Sequence, residues 1–365
     1  ARKFFLTRAG ATNFTTAMPT APTKESFSKV LNLSGPADLT KQAYTISSGK
    51  DINFTGKKIN GATIFVDGKC TMQYDETTQM SNTTIVLLSS ATLKYNGTGD
   101  MIPSGCTVYC TNPRNVFSAK NDIKINGNFY ADFRDKKSDG SKDLITGLGA
   151  IKETTPAEKD KSITPTQNIT FGSGANVFID GSIRAINLQV EDGANVYAQE
   201  NLFNNDNNGN ATINGNLYIG GFIKTRTLDV NGYLKAVEAV KVTNAFNVHD
   251  GANVEASYIN VTNNTKNGDK VIAKGEATLS LNGTGKITIG DKNVITANNL
   301  VTDNASAGQI TLAGENAVAV IKAHKFTNNG KSNIIAFATP GTNSTFLLQF
   351  QENYSGSKQY NTFED

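Results

Sequence analysis

The sequence predicts an all-β fold: a right-handed parallel β-helix, wound as a single-stranded solenoid with coils of about 19–22 residues. Three observations carry that reading. A short word recurs, as GSGANVFIDG at 172–181, VEDGANVYAQE at 190–200 and VHDGANVEAS at 248–257. Degenerate copies fill the space between and around these three. Within each copy the apolar residues alternate with polar ones, and helical spacing is missing from the region.

The glycines of the word, Gly174, Gly193 and Gly251, lie 19 and 58 residues apart. The longer gap holds two further copies, INGNLYIGG with Gly215 and VNGYLKAVE with Gly232. Upstream the template reads VDGKCTMQY (Gly68), LSSATLKYNG (Ser90), PSGCTVYC (Gly105) and INGNFYAD (Gly127). Downstream it reads AKGEATLSLNG (Gly275), IGDKNVITA (Gly290) and LAGENAVAV (Gly314). Strands from successive coils would pair about 4.8 Å apart.

Inside the word, Asp-Gly or Asn-Gly supplies a turn, because glycine accepts positive φ and Asp or Asn tolerates it. Ala194, Val196 and Ala198 share one face of an extended strand, and Asn195 and Tyr197 the other. Asn176, Asn195, Asn216 and Asn253 should fall in register at a corner, where side-chain amides stack.

Ends and interruptions follow from the same template. Residues 1–45 read as an N-terminal cap, with a short helix in PTKESFSKVLNLSG (22–35) capped by Thr23. The β-helix spans 46–345, with an inserted loop at 131–167 rich in charge, Ser and Pro. Residues 346–365 form a C-terminal tail or cap, since an open solenoid end exposes strand edges.

Composition narrows the function. Thirty-five Lys and Arg against 32 Asp and Glu leave a formal charge of +3, spread along the chain, so no basic stripe for nucleic acid stands out. No apolar run reaches the length of a membrane span. The sequence starts at Ala1 without an apolar leader, which fits a processed or trimmed chain.

Catalytic and metal chemistry find little support. Cys70, Cys106 and Cys110 map to inward positions as small apolar residues, with the coil of Ala91 between Cys70 and Cys106. His249 and His324 have no second histidine nearby. NNDNNGNATING (204–215) has calcium-loop spacing at Asn204, Asp206, Asn208 and Gly209, but Gly215 stands where a bidentate Glu belongs. No catalytic residue, metal or cofactor is therefore assigned. Asn96-Gly-Thr98 and Asn282-Gly-Thr284 fit glycosylation acceptors that an Asn/Thr-rich chain produces by chance.

One outward row is distinctive. The positions after the Asn column read Phe178, Tyr197, Tyr218, Lys235 and Glu255. Exposed aromatics in a row stack on sugar rings or on a partner surface, so these five are the candidate binding residues. The alternative for the row is stabilisation of the sheet, or cover by an inserted segment.

The words GATIFVDGKCTMQY, TTIVLLSSATLKYNG and TINGNLYIGG resemble the β-solenoid regions of secreted or surface lipoproteins of Bacteroidetes, including those of LruC-domain type. The resemblance spans roughly residues 46–345. FLLQFQENY followed by NTFED is similar to the start of an LruC module, although that module's acidic motif is absent. The resemblance implies a cell-envelope or extracellular location, on the outer surface of a Gram-negative bacterium, and a structural or adhesive role. The expected function is a non-enzymatic stalk or binding module, its partner a glycan or another surface protein. A β-helix polysaccharide lyase or glycoside hydrolase is the alternative, and would need carboxylates converging from neighbouring coils.

Overall fold

Segments that alternate Ile, Val or Leu with Thr, Asn and Lys have one face to bury. The chain buries it by pairing each segment with its counterpart one repeat later. The structure, a computed structural model, describes residues 14–133, 147–149, 167–204, 209–304, 309–330, 335–337, 343–350 and 355–356. The chain is all-β, with many short strands in parallel ladders, as a β-rich solenoid requires. It forms two compact units, Ala1–Glu200 and Asn201–Asp365.

In the first unit, one ladder runs through Val30–Asn32, Ala43–Ile46, Thr63–Val66, Thr84–Leu87, Thr107–Cys110, Asn128–Asp132, Asn176–Asp180 and Asn195–Ala198, all parallel. A second joins Asp51–Asn53, Thr71–Tyr74, Thr92–Tyr95 and Val116–Ala119. A third, a separate three-stranded sheet, pairs Leu39–Thr40, Lys58–Asn60 and Gln79–Ser81. Further along the chain Ile123–Ile125, Ile169–Phe171 and Leu188–Val190 pair in a ladder of the large sheet. Register puts like on like: Ile64, Ile85, Val108, Phe129, Val177 and Val196 form one fully buried column. At roughly 1.5–3 kcal/mol per buried aliphatic or aromatic side chain, such columns are the main source of cohesion.

The second unit repeats the plan with longer strands. Phe222–Val230, Tyr233–Val248, Val294–Asn304 and Val318–Asn328 are each a single long strand, with register shifts at Thr225/Thr227 and Ala236/Ala239 in the first two. Leu228, Phe246, Leu279, Leu300 and Phe326 make a buried column there. An antiparallel hairpin, Thr265–Asn267 with Lys270–Ala273, stands out from this stack with every residue exposed.

Several sequence expectations shift. The helix expected in 22–35 is a single 3₁₀ turn at Lys24–Ser26, followed by the strand Val30–Asn32. Pro19 and Pro22 already hold the preceding chain extended. The ladder therefore begins inside the 1–45 segment expected to cap it. At the other end, Thr345–Phe350 pairs with Val318–Ala323, and Phe350 stacks on Phe326 at 4.9 Å. The chain after Gly356 and nearly all of the expected insertion at 131–167 lie outside the described residues, as do Asp206 and Asn208 of the calcium-like loop.

The recurrent word also occupies more than one ladder. The Gly68 and Ser90 copies lead into the second ladder, whereas the Gly105, Gly127, Gly174 and Gly193 copies lead into the first. Cys70 and Cys106 accordingly precede strands of different ladders, Thr71–Tyr74 and Thr107–Cys110, and no Ala91 coil lies between them in one column. All three cysteines are free and buried. The turn glycines divide similarly: Gly193 and Gly251 take φ of +89° and +78°, the left-handed region expected of them. Gly174 does not. There a Cβ would come within 2.5 Å of the Asn126 carbonyl oxygen, so close approach is what demands glycine.

Candidate functional site

The outward row of the first unit is in register as the repeat requires: Phe65, Val86, Tyr109, Tyr130, Phe178 and Tyr197 are consecutive partners. Phe178 and Tyr197 stack at 5.6 Å with 11° between ring planes, and Tyr109 and Tyr130 tilt together at 5.3 Å. The row nevertheless is not open to solvent. Phe178 is 3% and Tyr197 6% exposed.

The described cover comes from the N-terminal segment. Phe14 sits 6.3 Å from Tyr197, and Thr15 donates to the Asn176 amide oxygen at 3.1 Å. At the far end Phe27 meets Phe65 edge-on at 5.9 Å, and Ala21, Phe27 and Val30 pack on the buried group Ala43, Phe65 and Val86. Lys24 closes the run with a salt bridge to Asp67 at 2.7 Å. Five strand spacings of about 4.8 Å separate Phe65 from Tyr197, about 24 Å in all. Thirteen residues extend to at most about 43–47 Å, so the segment lies along the row with slack. Burial pushes the Tyr109 and Tyr130 hydroxyls up; the Tyr130 hydroxyl adds to the rise at Tyr109, whereas the hydrogen bond from Asn176 opposes it at Tyr130.

In the second unit the same row reads Tyr218, Lys235, Glu255 and then Thr288. Lys235 and Glu255 face each other at 3.8 Å with side chains 12% and 3% exposed. Tyr233 donates its hydroxyl to Glu255 at 3.0 Å. Burial pulls the Lys235 ammonium down, and the Glu255 carboxylate opposes that pull. The acid, cation and phenol thus form a largely buried knot. The expected stacking of Asn amides takes a mixed form: Asn128, Asn176 and Asn195 are in register, yet Asn128 donates to Thr107 and Asn176 to Tyr130.

A different face of the second unit is open, and residue spacing alone did not single it out. Tyr258, Val294, Val320 and Leu347 are successive partners on the outer side of one ladder, with Tyr258 50% exposed. Two residues along each strand runs a polar column, Lys241, Asn260, Thr296, Lys322 and Gln349. Beside it the exposed hairpin is rooted by amides. Asn298, 2% exposed, donates to Asn264 at 2.7 Å and accepts from the Asn263 backbone at 3.0 Å. Gly275 closes the root, where a Cβ would meet the Asn263 amide oxygen at 1.6 Å.

Two hollows flank that root. The tighter, of about 120 Å³, is lined among others by Asn264, Lys274, Thr296, Lys322, His324 and Gln349. The shallower, of about 420 Å³, shares Lys274 and His324 and adds Glu276 and Lys325. The signal for this face was present as the period-two words SYIN, VITAN and VAVIK. What hid it was that they read equally well as plain strands. His249, by contrast, is tied to Asp229 at 2.9 Å in a strand-turn setting.

The fold and its faces define a class, an all-β protein of stacked parallel repeats. No protein-family model matches the chain, and no curated protein or solved structure matches it either.

Proposed function

We propose that the chain is a right-handed parallel β-helix serving outside the cell, at a Gram-negative surface, as a non-enzymatic stalk or binding module for glycans. The observation that supports this most directly is the open face of the second unit. Strands paired in register there present an apolar column beside a polar one, a surface suited to a repeating polymer. The row of Phe178 and Tyr197 has a different ligand in this reading, the chain's own N-terminal segment. The location rests on the resemblance to surface lipoproteins of Bacteroidetes. Among the described residues, no three His, Cys, Asp or Glu side chains gather as metal ligands, and no helix is long and apolar enough to cross a membrane.

The enzymatic alternative attaches to Glu255, Lys235 and Tyr233, where an acid and a basic group meet. At 2% exposure Glu255 is poorly presented to a polymer chain. A glycan array with the purified chain, paired with an activity screen on polysaccharides, tests the reading. Binding without turnover is expected. New reducing ends or unsaturated products that vanish in Glu255→Gln would overturn it.

A further inference from the structure

We infer that the open face of the second unit is a binding site for an acidic polysaccharide, its carboxylate or sulfate groups seated beside Lys274 and Lys322 at the hairpin root. The inference rests on the glycan-binding reading above and names both the ligand class and the place.

Charge is the first argument. Lys241 and Lys322 stand in the polar column and Lys274 at its rim, all exposed. The tighter hollow is lined by Lys274, Lys322 and His324 with no carboxylate among its lining residues. Glu276 is the single acid lining the shallower one. Cations clustered around a concave surface with so few acids favour a ligand of negative charge.

The second argument is hydrogen-bonding type. Thr296 and Gln349 offer hydroxyl and amide groups that both donate and accept, the complement of sugar hydroxyls, while beside them Thr262 donates to Asn260 and Asn264 accepts from Asn298. The third is the apolar column. Tyr258, Val294, Val320 and Leu347 lie about 6.6 Å from the polar column, two strand residues away, where the C–H faces of sugar rings can rest while their substituents reach the lysines.

The same geometry disfavours other polyanions. The strands Val294–Asn304 and Val318–Asn328 are each paired on both sides, so their backbones offer no edge for a peptide to extend. Tyr258 is the one aromatic in the column, and its neighbours Val294, Val320 and Leu347 are aliphatic, which is poor for stacking successive bases. The hollow of about 120 Å³ suits a charged substituent rather than a whole ring, consistent with a chain lying across the face.

The test is binding of the full chain to polygalacturonate, heparin, neutral dextran, double-stranded DNA and inorganic phosphate by calorimetry at low and moderate salt. Polygalacturonate or heparin should bind and dextran should not. Lys274→Glu with Lys322→Glu should weaken binding at least tenfold, Tyr258→Ala about fivefold, and Lys94→Glu in the first unit not at all. All three target side chains are exposed, so folding should persist, and the melting curve checks it. DNA or phosphate binding as tightly as the acidic glycans would overturn the ligand class. Acidic-glycan binding that ignores the charge reversals would overturn the place but leave the glycan reading intact. Binding to neutral glycans alone would overturn the inference while that reading stands, and no glycan binding at all would sink both.

Discussion

Phe14 lies 6.3 Å from Tyr197 while Phe27, thirteen residues later, lies 5.9 Å from Phe65. A stretch of chain with no ladder of its own is therefore held by side chains at both ends of one outward column. Phe27 is half-buried, so Phe27→Ala should destabilise the first unit by about 1–2 kcal/mol. Phe14→Ala with Phe27→Ala should free the row, and binding of a hydrophobic dye should rise against the parent. An unchanged dye signal with an unchanged melting curve would mean that the segment contributes no cover.

The thiols offer a second measurement. Burial pushes the Cys110 and Cys106 thiols up, and Cys110, Cys106 and Cys70 are all about 1% exposed or less. The reactive species is the thiolate, which burial disfavours at Cys106 and Cys110, and all three sulfurs are shielded from reagent. Folded protein at pH 8 should leave all three unmodified by a thiol reagent over hours, and denatured protein should release three equivalents at once.

The Lys235–Glu255 pair is expected to show the asymmetry of buried charge. Lys235→Met removes that cation from beside a buried carboxylate and should cost about 2–3 kcal/mol, near the low end for such pairs because the 3.8 Å contact is long. Replacing both, Lys235→Met with Glu255→Gln, removes both charges while keeping an acceptor for the Tyr233 hydroxyl, and should recover most of the loss. Denaturant melts of the parent and the two variants decide it: a double variant no better than the single would argue against electrostatics as the cause.

At Gly127 a Cβ would approach the carbonyl oxygens of Cys106 and Pro103 to 2.4 Å each. Both are backbone atoms already held, Pro103 by the Cys106 amide in a turn and Cys106 by the Asn128 amide, so Gly127→Ala should destabilise by about 1–3 kcal/mol, as overpacking does. Gly35, with nothing near its Cβ position, is the control and should tolerate alanine.

Acid should loosen one clasp. Asp250 accepts from the Thr284 backbone and hydroxyl at 2.8 Å each, while Thr284 accepts from the Gly251 amide. These bonds hold the Asp250 carboxyl below its ordinary 3.8. A carboxyl depressed in the folded state adds stability above its unfolded value, and that contribution disappears as pH falls through the folded one. Parent protein should lose more stability than Asp250→Asn on going from about pH 6 to below about 4. Parallel pH dependences would assign the acid response elsewhere.

Much of the architecture was legible because a strand's period of two survives in any copy of the word. GANVFID, GANVYA and GANVEA each expose their inward set by alternation alone, and Val177, Val196 and Val254 are indeed buried. The ladder to which each copy belongs was not legible. GKCTMQY and GCTVYC look alike in sequence, yet their strands pair in different ladders, because one repeat holds several strands of the same pattern. The candidate row was legible as a column but not as a covered one.

The sequence by itself determined that this chain would be built from short alternating strands joined by Gly and Asn turns, because local sterics and side-chain period are encoded residue by residue. Only the tertiary structure decided which outward faces remain free. That choice depends on contacts between residues far apart in the chain, Thr15 with Asn176, Phe27 with Phe65, Asn264 with Asn298. No local pattern records such contacts, since they arise from where packing brings distant segments together.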